Sequence, residues 1–275
     1  MSDLPILFSA PMVRAILREI EQPGTGKTQT RRVLKPQPPE WATFCQEPHM
    51  LNIEHRWVPS GLWRWSEKEQ NPPRPLRQWP VDEEGEHYWL RPPFSRRDRL
   101  WMREEHFQFG HWEIDPDKLT KGGREKWRFV PDQPEVVLVP PKEYRSARRA
   151  RDPATPAWHK RLGRFMFRAH SRLTLYVTDV RVERLNDISE ADAIKEGIET
   201  DHAAGMQSVW GWRDYLRGDS VAKRHFADPR ESYRTLWDAI NGPGAWEANP
   251  WVVAYSFVPR LGNIDTLTAT LQEAA

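Results

Sequence analysis

The chain has 275 residues, 29% charged and 38% hydrophobic, with 41 basic against 39 acidic side chains and a net charge of +2. That length suits one large domain with insertions or two small ones, and the charge balance is too even to name a partner by itself. The single Cys45 excludes an internal disulfide or thiolate cluster, no run approaches the roughly 18 apolar residues of a membrane span, and the start lacks a signal peptide's pattern, so a cytoplasmic protein with no membrane partner is expected.

In chain order, residues 5–9 predict a short apolar strand. Ser9 and Pro11 then suit a helix start, with Met12, Ile16, Leu17 and Ile20 at helical spacing. Gln22-Pro23-Gly24-Thr25-Gly26 stops that helix, and Thr28–Leu34 reads as a strand. Between Pro36 and Trp158 lie ten of the 15 Trp and eighteen of the 25 Pro. Proline breaks regular elements, while disordered segments are poor in aromatics, so this stretch is expected to be ordered and loop-rich. Within it, Asp98–Glu104 alternates like a strand, and residues 106–165 are expected to be irregular. Leu173–Val180 is the clearest strand. A helix follows, capped by Ser189 with Asp192 at its third position and stopped by Gly197 after Glu196. Residues 230–240 predict a second amphipathic helix, and residues 251–257 a last strand. The pattern is an α+β mixture of strands and short helices, broken by insertions at about 36–94 and 106–168. A single domain over 1–260 with a tail at 261–275 is expected.

Gly24-Thr25-Gly26-Lys27-Thr28 imitates a phosphate loop, but Glu21 stands where the first Gly belongs, and the flanking helix and strand come in the reverse order. Taken on its own chemistry, the following strand projects Thr28, Thr30 and Arg32 to one face and Gln29, Arg31 and Val33 to the other, with Lys27 in the turn. The bland alternative is a solvated basic edge strand.

Several blocks together resemble the ASCH family of PUA-like β-barrel proteins, particularly phage and prophage members. They are residues 6–17, Lys27-Thr28-Gln29-Thr30-Arg31-Arg32, Asp98–Glu104, Thr178-Asp179-Val180 with Ile188–Ile198, and Asn249-Pro250-Trp251-Val252. They cover roughly half of the chain. Lys27, Thr30 and Arg32 fit the family's Lys-x-x-Thr-x-Arg spacing. Thr25 stands where the family has Gly two before the Lys, and Arg97 where it tends to have Gly before the aspartate.

The resemblance implies a mixed β-barrel with flanking short helices, decorated by Pro/Trp-rich loops. Small members of the family are amidohydrolases that deacetylate N4-acetylcytidine with a Lys, a Thr and a Glu. Carried over, these are Lys27, Thr30 and Glu196. A threonine hydroxyl needs a base to take its proton, and a lysine serves only if its pKa falls well below about 10.4. Arg31 and Arg32 would push it down, and an adjacent Glu196 would push it up. Glu196 itself opposes the dipole of its helix end at about 0.3–1 kcal/mol, which either marks function or is relieved by pointing into water. Glu104 is the alternative carboxylate, with an ion pair to Arg103 or Arg32 as its bland reading; Arg31, Arg32, Arg103 and Glu104 are also candidates for nucleic-acid or substrate contact. No metal or cofactor is expected, because the nine histidines are dispersed.

From Arg145 to Arg172 stand nine Lys or Arg against one acid, Asp152, interleaved with Trp158, Phe165 and Phe167. Basic side chains neutralise phosphates and aromatics stack on splayed bases. Arg148, Arg149 and Arg151 are thus candidates for contact with RNA or another single strand. Three functions stay open: hydrolysis of an acyl-amide on a modified nucleoside, non-catalytic nucleic-acid binding with the same pocket, and a phage protein that binds a host protein.

Overall fold

The computed structural model describes residues 1–40, 42–66, 88–145, 152–200, 211–216 and 225–267. It is a mixed α+β structure, mostly strands in several sheets with few helices. Its strands, in chain order, begin with β1 (Asp3–Leu7), β2 (Gln29–Val33), β3 (Phe44–Gln46), β4 (His49–Leu51), β5 (Trp57–Pro59) and β6 (Trp63–Ser66). They continue with β7 (Tyr88–Leu90), β8 (Arg99–Arg103), β9 (His106–Leu119), β10 (Glu125–Val137) and β11 (Ala157–Arg161). The last are β12 (Leu173–Arg184), β13 (Trp212–Arg213), β14 (His225–Phe226) and β15 (Trp251–Leu261). The α-helices are α1 (Ala10–Glu21), α2 (Glu190–Lys195) and α3 (Pro229–Asn241). None of the described helices is long and apolar enough to cross a membrane. The chain divides into two compact units, the first made of Met1–Leu4, Arg14–Arg99 and Leu175–Arg260, the second of Pro5–Val13, Leu100–Thr174 and Leu261–Ala275.

In the first unit β15 lies between β12 and β2. The β15–β2 pair is antiparallel, with Tyr255 opposite Thr30 and Ser256 opposite Gln29. Below it, Leu185, Ile188, Ala193, Ile198, Tyr233, Trp237 and Val252 form a buried cluster. Removing such side chains from water at about 25 cal/mol per Å² is what fixes α2 and α3 there. The Ser189 and Gly197 signals behave as expected: Ser189 accepts from the Asp192 N–H, and α2 gives way to Gly197 at φ +80°. The α3 helix is capped by Asp228 with Pro229 at its first turn. The segment after Pro36 forms the small sheets β3–β6–β7 and β4–β5. Arg97 holds φ +72°, a conformation that glycine adopts without cost.

The second unit corrects the expectation of irregular chain over 106–165. There β9, of 14 residues, lies between β10 and β11 in a three-stranded antiparallel sheet. Prolines hid it. Pro116 and Pro134 fall where the β9–β10 register slips, between the Glu125/Lys126 and Pro131/Val136 steps, and β10 is at the sheet's edge. A bulged edge strand tolerates residues that lack an N–H. The strands predicted at 173–180 and 251–257 also run on, to Arg184 and Leu261.

Candidate active site

The turn before β2 is built by two close approaches that exclude side chains. A Cβ on Gly26 would sit 2.3 Å from the Ala15 carbonyl oxygen, so only glycine lets the chain pass under α1. The Lys27 N–H then donates to that same carbonyl at 3.0 Å, and the Thr28 N–H donates to Lys195 O at 2.9 Å. The backbone N–H groups of Gly24 and Gly26 both donate to the Glu19 carboxylate, at 3.0 Å and 2.8 Å. A tethered carboxylate thus sits where a phosphate loop would hold its ligand, a second reason why that motif fails here.

Lys27 turns inward and is wholly buried. Its Nζ donates to Glu196 Oε2 at 2.6 Å and to the Glu196 carbonyl at 2.8 Å. Glu196 therefore does not point into water. It is 4% exposed, and the ammonium compensates the negative end of α2 that made a glutamate there look costly. Gly197 makes this possible, because a Cβ there would meet the Lys27 Cβ at 2.7 Å. Arg18 closes the turn from outside, donating from Nε to Thr25 O at 2.8 Å and from Nη2 to Gly197 O at 3.2 Å.

Arg31 is the second cation of the site. Its Nη1 donates to Gln29 Oε1 at 2.6 Å and Glu196 Oε1 at 3.2 Å, while Nη2 donates to Glu183 at 2.6 Å and Asp192 at 3.2 Å. Arg181 Nη2 also donates to Asp192, at 2.6 Å. Gln29 ties the group to β15 through Ser256 Oγ at 3.1 Å. The network grades outward from a sealed pair, Lys27 and Glu196, through Arg31 to Asp192, Glu183 and the half-exposed Arg181. Burial pulls the Lys27 pKa below its usual value; Glu196 opposes this, and Arg32 and Arg31 reinforce it. Burial likewise lowers Arg32.

Of the residues singled out in the sequence, Lys27, Arg31 and Glu196 come together. Thr30 is buried at 2% exposure on the alternate face of β2 from Gln29 and Arg31. The amine expected beside the Thr28–Thr30–Arg32 face instead joins Arg31 through Glu196, and among the described residues no hydrogen bond links it to Thr30. The solvated-edge reading of β2 fails, since Gln29, Thr30 and Arg31 are all buried although β2 ends its sheet. Glu104 belongs to the second unit, where it pairs through both oxygens with Arg172 at 2.9 Å rather than with Arg103 or Arg32. Arg103 lies over the Trp101 ring at 4.7 Å. Arg148, Arg149 and Arg151 lie outside the described residues.

Glu183, Asp192, Arg181 and Gln29 were not foreseen as members of the site. The signal was present: Asp192 and Glu196 stand four apart on one face of α2, and Arg181 and Glu183 two apart on one face of β12. Among the described residues no group of three His, Cys, Asp or Glu is arranged to hold a metal ion. Two of the three amine donors of Lys27 are taken by Glu196, which leaves one position, an N–H or a lone pair, for another group. No family model, curated protein or solved structure matches the chain.

Proposed function

We propose that this chain is a cytoplasmic ASCH-type protein in which β1, β2, β8, β12 and β15 belong to a PUA-like barrel. On this reading it is one domain interrupted at about 36–94 and 106–168. Its partner is RNA or a modified nucleoside, from which it hydrolyses an acyl-amide. The observation that carries this reading is the sealed Lys27–Glu196 pair with its lowered amine. Burying two charges costs several kcal/mol per ion, and an apolar pair of similar volume is often the more stable choice. A buried lysine of reduced basicity at the head of a strand bearing Thr30 suits proton transfer instead.

The step balances as follows. The Thr30 hydroxyl oxygen bonds to the acyl carbon while its proton passes to the Lys27 amine. The C–N bond then breaks, and the proton moves from Lys27 to the leaving nitrogen. Water afterwards cleaves the Thr30 ester, which releases the acid and restores the hydroxyl. Glu196 positions the amine and holds it in register with α2. The step requires the Lys27 amine to swing toward the Thr30 face when substrate enters.

The test is mass spectrometry of acylated nucleosides, including N4-acetylcytidine, incubated with the protein. Thr30→Ala and Lys27→Ala should each lower the rate by orders of magnitude, and the double variant should be little worse than either. Thr28→Ala, on the same face but off the motif, should keep most activity. Blank wild-type assays alongside intact RNA binding would leave a non-catalytic binding module in place of the enzyme.

A further inference from the structure

The sheet of the second unit holds a cation that pairs with no anion among the described residues. Register puts Arg161 of β11 opposite His106 of β9, and Phe129 of β10 opposite Trp112 of β9. Alternation then places all four side chains on one face. The Arg161 guanidinium carbon lies 4.1 Å from the Phe129 ring centroid, 4.8 Å from that of Phe165 and 5.2 Å from that of Trp112. Its Nε is buried without a hydrogen-bond partner. Among the described residues no carboxylate pairs with it, and burial alone lowers its basicity.

Its neighbours in the basic run are different. Lys160 pairs with Glu105 at 2.8 Å, Arg172 with Glu104, and Arg168 with Asp265. Those three belong to a balanced surface, as the bland reading of the run would have it. Among the described residues Arg161 has no such partner, and neither does Arg164, which lies over the Phe165 ring at 5.0 Å. Burial lowers the pKa of His106 nearby and its bond with the Glu104 carbonyl opposes this, while Arg161 and His170 lower it further. Three rings lie within 5.2 Å of the Arg161 guanidinium carbon, and its terminal nitrogens make no bond to the described residues. A planar fork with its donors unspent matches two oxygens of a phosphate. Phe165 beside it is 45% exposed, and Phe167, two residues further along the chain and edge-to-face with His170 at 6.2 Å, is 67% exposed.

We propose that this face binds single-stranded nucleic acid, with Arg161 receiving a backbone phosphate while Phe165 and Phe167 stack on unpaired bases. The proposal rests on the reading of the chain as a nucleic-acid protein, but not on hydrolysis. A duplex hides the base faces that the exposed rings would need, and an acidic peptide offers carboxylates but nothing to cover Phe167.

The experiment is fluorescence anisotropy of the full chain with a short labelled single-stranded RNA over a salt titration. Arg161→Ala should weaken binding about tenfold or more and flatten the salt dependence by about 0.7. Phe167→Ala, at an exposed position where folding is not at stake, should weaken it about tenfold and leave the slope unchanged. Absence of wild-type binding, or binding that both variants leave intact, would overturn the proposal. So would displacement of the strand by polyglutamate at equal charge, which would mark an acidic-peptide site, or by a mononucleotide at equal concentration, which would mark a free-nucleotide site. Lost strand binding with hydrolysis of a free nucleoside intact would fail this proposal alone, and the reverse result would fail the catalytic reading alone.

Discussion

Lys27 and Arg161 are two cations removed from water in opposite ways. Lys27 is sealed and answered at 2.6 Å by a carboxylate, which is itself shared with Arg31. Arg161 is half-buried and held by aromatic faces, with no acid among the described residues. An answered charge is held in place by the chain's own anion, so any chemistry it performs must begin by disturbing that bond. A cation held on rings keeps its hydrogen-bond donors unspent. The first arrangement couples strongly to stability, and the second hardly at all.

The largest break in that contrast should come from Lys27→Met, which leaves the buried Glu196 carboxylate with only its longer contact to Arg31, at 3.2 Å, among the described residues. About 3–5 kcal/mol of stability should be lost in urea denaturation. Adding Glu196→Gln should recover part of that loss, because the buried side chain left without its amine is then neutral; further destabilisation by the second change would show that the pair is not coupled as described.

Gly197→Ala should come next, at about 2–4 kcal/mol. It combines a left-handed backbone that costs about 1–2 kcal/mol with a Cβ driven against Lys27. A loss under half a kcal/mol would mean that the turn relaxes freely. Arg31→Lys keeps the charge but not the fork that reaches Gln29, Glu196, Glu183 and Asp192, and should cost about 1–3 kcal/mol in the same measurement.

The pH dependence sharpens the comparison further. Folding lowers the Lys27 pKa, so between that lowered value and the usual lysine value the unfolded chain binds more protons. Stability contributed by this group therefore rises with pH through that window. Denaturation midpoints of the wild type should gain on those of Lys27→Met as the solution becomes alkaline, and parallel curves would contradict the lowered pKa. The smallest effect belongs to Arg161→Met, which should change stability by no more than about 1 kcal/mol, since it removes an unpaired Nε and leaves the apolar stem.

Short-range signals carried the legible part of this fold. Ser189 with Asp192, Gly197 after Glu196, and the breaker run 22–26 act over a few residues, and each does locally what its chemistry requires. The β9–β10 pairing was hidden because its prolines sit at register slips that only the partner strand defines. At the site, the meeting of Lys27 with Glu196, 169 residues away, came from family resemblance rather than from pattern. The partner of Glu104 was misjudged for the same reason: which arginine reaches it depends on how β8 and the start of β12 come together in space, and nothing in a strand's own residues encodes that.

The glycine-rich turn ahead of Lys27 has an implication of its own. Its N–H groups at Gly24 and Gly26 are occupied by Glu19, a carboxylate only seven residues or fewer away along the chain. Such an occupant is present at an effective concentration on the order of millimolar or higher, set by its tether rather than by the medium. Any free phosphate or nucleotide would have to displace a rival that never diffuses away. The segment that looks most like a nucleotide-binding loop is, through Glu19, the one most permanently inhibited from acting as one.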